Sequence, residues 1–159
     1  MTKESTMNQE TQLHILVETK AIERLLFTYA FHLDMNQTAE LAALFTEDCE
    51  VIYGPDGFGA KGRAAYAKTL EGVGSFFKAT SHHVSNIVID FISPTEAKVR
   101  SVLYAWHRYN RDMPDSHVWG QYHDVIVLND GKWQFKRREL RVTGDKDFHV
   151  KKTLPIGRS

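Results

Sequence analysis

The 159-residue chain has a single cysteine, only four prolines, and no excess of either charge, since Lys+Arg and Asp+Glu each number 20. One cysteine excludes an intrachain disulfide and points to a reducing, cytoplasmic setting. That residue, Cys49, lies between Asp48 and Glu50. Flanking carboxylates hold a thiol protonated, so Cys49 reads as a small structural residue and not as a nucleophile. Charge balance leaves no net field to recruit nucleic acid or an anionic membrane. The one basic run, Lys136-Arg137-Arg138, falls in a strand pattern that sends neighbours to opposite faces. No apolar stretch approaches the ~18 residues of a membrane span. The first dozen residues also lack the basic-then-apolar order of a secretory leader. A soluble protein is expected, with neither nucleic acid nor membrane among its partners.

Cofactor motifs are missing too. The eight histidines form no His-x-His, His-x-x-x-His or Glu-x-x-His pair, so no metal site is expected. The glycines at 54, 57, 59 and 62 have no preceding βαβ pattern and no Gly-Lys-Ser/Thr ending, so no nucleotide loop is expected either. No Gly-x-Ser-x-Gly elbow is present. No cofactor is assigned.

What is present is an ordinary globular balance, 42% hydrophobic and 25% charged, sufficient for one domain. Residues 1–11 read as a disordered lead-in, 12–150 as the domain and 151–159 as a tail. Apolar residues at helical spacing from Leu13 to Met35 predict a long helix with Ile22, Leu25, Leu26, Tyr29 and Leu33 inward and Ala30 and Phe31 widening the stripe. Asn36 reads as its stop, and Thr38 as the cap of a short helix through Phe45. A strand at Cys49–Tyr53, a turn-rich loop and a helix at Gly62–Glu71 follow. From His82 the period becomes two, predicting strands at 82–92, 96–109, 117–129 and 132–143. Helices first and long antiparallel strands second indicate an α+β fold, with the sheet curved round the first helix.

Asp34 is out of place by local rules, because a carboxylate in the last helical turn opposes the helix dipole. Tyr29 stands about 140° away round the same helix. His82 and His83 open a strand, so one of them faces the concave side. A histidine oriented by a carboxylate is a general base. Taken singly, Asp34 reads equally as a solvated surface residue, Tyr29 as core, and either histidine as a packed polar side chain.

Four segments resemble the nuclear transport factor 2-like superfamily, in the branch of scytalone dehydratase, bile acid 7α-dehydratase and hexachlorocyclohexane dehydrochlorinase. They are Tyr29-Ala30-Phe31-His32-Leu33-Asp34, Leu41–Asp48, Ser81-His82-His83-Val84-Ser85-Asn86, and the pair Gly120–Asp124 and Gly131–Arg138. Polyketide-cyclase-like proteins belong to the same group. The resemblance implies a cone-shaped α+β barrel in which three N-terminal helices pack into a strongly curved, mostly antiparallel sheet. It implies His82 as the catalytic histidine, Asp34 as its partner and Tyr29 on the reacting oxygen. It further implies Tyr53 and Arg138 as pocket residues and a second histidine, His107 or His117, facing the first. The His-x3-Asn opening selects His82 over His83 and brings Asn86 into the candidate substrate site. Phe31, Trp106, Trp119 and Phe148 are taken as aromatic walls. Arg138 has opposite parity to Trp133 and Phe135, so a regular strand places only one set inward.

The expected activity is that of a cofactor-independent lyase, eliminating water from a small hydrophobic aromatic or polycyclic hydroxy substrate, with carbon–carbon cleavage as a variant. The same pair serves isomerisation or aldol cyclisation. A binding module like the small subunit of ring-hydroxylating dioxygenases needs no such pair. The resemblance also implies a homo-oligomer, a trimer before a dimer.

Overall fold

The computed structural model describes residues 8–158. Helix α1 runs over Gln9–Asp34, and the Asn8 side chain accepts a hydrogen bond from the Thr11 amide at 2.8 Å. The helix thus begins inside the segment read as a lead-in, while residues 1–7 of that segment lie outside the described residues. Ile22, Leu25, Leu26 and Tyr29 form its buried stripe, as helical spacing requires. Asn36 adopts φ 54° and ends the helix, as a residue tolerant of the left-handed region does beyond a C-terminus.

Helix α2 covers Thr38–Ala43, strand β1 Phe45–Ile52, β2 Gly59–Lys61 and α3 Arg63–Phe76. The long strands follow as β3 Phe77–Ser93, β4 Glu96–Tyr109, β5 Ser116–Asn129 and β6 Lys132–Lys146. They form one sheet in the order β2-β1-β6-β5-β4-β3, parallel between β1 and β6 and antiparallel elsewhere. The sheet curves round α1 without closing, so the expected α+β cone is open between β2 and β3. The β5–β6 turn carries Asp130 at φ 49° and Gly131 at φ 74°, the two positive angles a tight two-residue hairpin needs.

Several boundaries differ from those the sequence predicts: α2 is capped by Gln37 in place of Thr38 and ends at Ala43, β1 begins at Phe45 and not Cys49, and β6 runs on to Lys146. Helix α3 extends five residues past Glu71, through Gly72 and Gly74, which disfavour helix by ~1 kcal/mol each. Gly74 has a packing reason: a Cβ there would lie 2.4 Å from Asn36 Oδ1. Strand β3 then starts at Phe77 with no turn between, so no Gly/Pro punctuation marked it.

Bulges set which residues face in. Val125 pairs with Arg137 but Ile126 with Phe135, leaving Lys136 as an extra residue that shifts the parity of β6. Trp133 and Phe135 before it, and Arg138, Leu140 and Val142 after it, are therefore all buried. A regular strand would have forced a choice between the sets. At Gly120, beside a second β5–β6 shift, an added Cβ would stand 2.3 Å from the Arg141 carbonyl oxygen. Gly120→Ala should cost about 1–3 kcal/mol as an overpacked site, read as a lower urea midpoint.

The C-terminal segment docks. Val142 donates its amide to Leu154 O at 2.8 Å and accepts from the Ile156 amide at 3.0 Å. Among the described residues, no helix is long and apolar enough to cross a membrane.

Candidate active site

Between α1, α3 and the concave face of the sheet lies a cavity of about 270 Å³. Leu33, Val73, Phe76, Phe77, Leu103, Val118, Leu140 and Phe148 make much of it apolar, and Tyr29, Tyr53, Tyr122, His82, His107 and His149 supply the polar atoms.

Asp34 and His82 meet at its wall. His82 Nδ1 donates to Asp34 Oδ1 at 2.6 Å, Thr80 Oγ1 donates to the same oxygen at 2.8 Å, and the His82 amide donates to Oδ2 at 2.8 Å. These three donors from β3 explain a carboxylate at the unfavourable end of a helix dipole, a placement worth only ~0.3–1 kcal/mol. Burial by itself would raise the Asp34 pKa. The hydrogen bonds and charge of His82, with Thr80, outweigh it, and the carboxyl titrates below its ordinary value. An ionised Asp34 accepts only, so a proton is assigned to His82 Nδ1, and in the neutral form of the ring the lone pair is on Nε2. The His82 side chain is 8% exposed. His83 points to the outer face, beside Tyr104.

The second histidine in the cavity is His107, while His117 stacks on Trp119 outside. The His107 ring stands 5.4 Å from that of His82, between Phe77 and Phe148, with Nδ1 3.2 Å from Ser116 Oγ. Burial, then the nearby His82 and His149, push its pKa down to about 3, so it is neutral at pH 7. In the unfolded chain it titrates near 6.5. The folded pKa is depressed, so the unfolded state binds the extra proton below pH 6.5 and stability falls from there toward pH 3. The slope is up to ~1.4 kcal/mol per pH unit. His107→Gln should flatten that acid decline, measured by urea unfolding at pH 7, 5 and 4.

Tyr53 and Tyr29 line the cavity and both reach Tyr66 of α3, at 2.9 Å and 3.3 Å between hydroxyl oxygens. Burial pushes the phenols of Tyr53, Tyr66 and Tyr122 well above 10, which makes them neutral donors.

Several expected site residues lie elsewhere. Arg138 is fully buried but off the cavity wall. It forms a two-pronged ion pair with Asp124, at 2.9 and 2.7 Å, and lies 3.9–4.1 Å from the ring centres of Tyr29, Tyr122 and Phe135. Burial opposes its charge, but Asp124 outweighs burial and raises its pKa further. Phe31 is 72% exposed on the outer side of α1. Trp106 and Trp119 stand on the outer face, because strand neighbours alternate and His107 and Val118 take the inner positions. Arg108 lies over Trp106, and Trp119 stacks with His117 and Tyr104. Asn86 is exposed at φ 49° in a bulge that turns both Val84 and Ile87 inward, so its role is in the backbone. Of the proposed walls, Phe148 alone lines the cavity.

The sequence reading missed Thr80, Tyr66, Tyr122 and His149. Thr80 shares the strand parity of His82 and was legible once β3 extended back to Phe77. Tyr66 had no signal beyond being a tyrosine in an alanine-rich helix. Among the described residues, no group of three or more His, Cys, Asp or Glu side chains converges as a metal-ligand set.

Comparison with known proteins adds a family. Residues 15–139 match the model of the SnoaL-like domain. A provisionally named scytalone dehydratase from Novosphingobium aromaticivorans DSM 12444 is 60% identical, with TM-score 0.90 over 93% of this chain and 99% of its own. A hexachlorocyclohexane dehydrochlorinase, LinA type 2, shares the fold at 18% identity, with TM-score 0.78 over 92% and 99% of the two chains. So does ActVI-ORFA from Streptomyces coelicolor, at 20% identity and TM-score 0.67 over 78% and 96%. No curated protein matches the sequence.

Proposed function

The chain belongs to the SnoaL-like domain family, and from that premise we propose that it is a cofactor-independent lyase acting by elimination on a small, apolar, aromatic or bicyclic hydroxy ketone. One observation carries the reading: the Asp34–His82 hydrogen bond at the wall of a mostly apolar cavity. A binding module has no need of a carboxylate ordered by three donors and aimed at one imidazole.

The chemistry closes on the chain's own groups. His82 Nε2 takes the proton from the carbon next to the substrate carbonyl, and the electron pair moves into an enolate. Ionised Asp34 stabilises the resulting imidazolium and holds its orientation. A phenol on the cavity wall, Tyr53 or Tyr29, donates to the enolate oxygen. Collapse of the enolate forms the carbon–carbon double bond and expels the β-hydroxyl. The imidazolium returns its proton to that hydroxyl as water, so His82 is neutral again after each turnover. Apolar walls exclude competing water and strengthen these polar contacts. The cavity falls just under the ~300–1,000 Å³ usual for ligand sites, which favours one or two rings over four.

The test is a panel of aromatic and bicyclic β-hydroxy ketones, followed by absorbance of the conjugated enone with no metal or cofactor added. Turnover that is lost in His82→Ala supports the reading. Ligands that bind wild type without being converted, across the panel, would defeat it.

A further inference from the structure

Tyr66 is not in the cavity wall, yet its hydroxyl joins two of the three phenols that are, Tyr29 and Tyr53. Three separate elements bring these groups together: α1 carries Tyr29, α3 carries Tyr66, and Tyr53 follows β1. Tyr66 is 0% exposed and its ring packs 4.6 Å from Phe45. A phenylalanine would fill that space as well, so packing alone does not account for the hydroxyl. Burying it costs free energy unless it is hydrogen-bonded. It meets Tyr53 at 2.9 Å and Tyr29 at 3.3 Å.

Counting protons gives the chain a direction. Three hydroxyls in a row hold three protons, and two are used within the row, which leaves one for a ligand. Tyr29 lies 1% exposed with the Arg138 guanidinium 4.1 Å from its ring centre. That guanidinium is paired with Asp124 and lies over the ring face of Tyr29, so this end of the row is closed off inside the core. Of the two ends Tyr53 is the more open, half-buried against 1% exposure for Tyr29, so the row is assigned with Tyr29 donating to Tyr66, Tyr66 to Tyr53, and Tyr53 presenting the remaining proton.

We propose that Tyr66 is a positioning residue that couples Tyr53 to Tyr29 as a proton relay, so that charge developing on a substrate carbonyl oxygen is spread inward along the row. The inference deepens the lyase reading and rests on it. As His82 Nε2 removes the α-proton, Tyr53 passes its proton toward the enolate oxygen, Tyr66 replaces it and Tyr29 replaces that of Tyr66. The negative charge ends on the Tyr29 oxygen, at the inner end of the row. When the carbonyl re-forms and hydroxide leaves with the His82 proton, all three phenolic protons return. No bond or electron is left unbalanced.

The experiment uses 2-tetralone, a bicyclic ketone without a leaving group, and follows α-proton exchange in D2O by NMR. Wild type should exchange it and His82→Ala should not. Tyr66→Phe should lower kcat for exchange roughly tenfold, a share of the 10²–10³ that a direct oxyanion donor supplies, with KM unchanged. Tyr29→Phe/Tyr66→Phe should exchange at the rate of Tyr66→Phe alone, because the relay routes the contribution of Tyr29 through Tyr66 and not by direct contact with the ligand. Replacing Tyr66 by 3-fluorotyrosine, a more acidic isostere that keeps the hydrogen bonds, should raise kcat, which a purely structural hydroxyl would not do. This last arm decides the matter if Tyr66→Phe fails to fold. Losses that multiply in the double variant overturn the relay and leave the lyase reading standing, as does an unchanged kcat in both Tyr66 variants. Exchange that is absent from wild type or independent of His82 removes the lyase reading and the relay with it.

Discussion

His82→Gln should lower kcat by on the order of 10²–10⁴, the usual contribution of a positioned general base, while the substrate Kd stays nearly unchanged. The glutamine retains an amide that can donate to Asp34 but has no basic nitrogen to take a proton. Asp34→Asn should lose a comparable or larger factor, since removing the carboxylate of a His–Asp pair elsewhere costs about 10⁴. The asparagine can offer an N–H to His82 Nδ1, which moves the imidazole proton to Nε2 and blocks the base. It also withdraws the charge that stabilises the imidazolium. Asp34 accepts from Thr80 and from the His82 amide as well, so its substitution should also loosen the α1–β3 contact. Steady-state kinetics with calorimetric binding separate the two effects. A His82→Gln enzyme with wild-type kcat would remove the pair from the chemistry.

Breaking the Arg138–Asp124 pair should produce the largest loss of stability. Both side chains are 0% exposed, and deleting one leaves a buried charge without its partner, a loss of about 3–5 kcal/mol. In a domain of this size that lowers Tm by roughly 6–20 °C. Arg138→Met should show it by differential scanning calorimetry, and Asp124→Asn should show a similar fall. The combined Arg138→Met/Asp124→Leu variant should recover much of the loss, because an apolar pair of similar volume replaces an ion pair that was itself costly to desolvate. Stacking of the guanidinium on Tyr29, Tyr122 and Phe135 sets how complete the recovery is, since methionine keeps the contact area but not the cation–π attraction. Losses that simply add in the double variant would mean that the two residues stabilise the fold independently.

Two parts of the candidate site follow from local rules, while the choice of His82 over His83, and Tyr53 and His107 as pocket residues, come from the family resemblance. Asp34 stood out because it opposes a helix dipole, and period-two alternation required that either His82 or His83 face inward. The same alternation bears on Trp106 and His107, which are adjacent on β4 and cannot share a face. Taking both as site residues conflicted with it, and Trp106 is the one outside. Phe31, read as widening the apolar stripe of α1 and as an aromatic wall, falls on the solvent side of the helix, while its neighbour Ala30 is buried.

Helical and strand periodicity, the Asn36 stop and the Asn129-Asp130-Gly131 turn are written into the chain itself, because they depend on neighbours within a few residues. Composition likewise excluded a disulfide framework, and the histidine spacings gave no local metal motif. What only the tertiary structure decided is where parity breaks and what meets across the core. The bulge at Lys136 turns Arg138 inward, toward Asp124 and onto the ring of Tyr29. The bulge at Asn86 likewise shifts the parity of β3. Tyr66 bridges Tyr29 and Tyr53 from 37 and 13 residues away. A contact of that kind depends on how α3 packs against β1, and packing is a property of the whole chain.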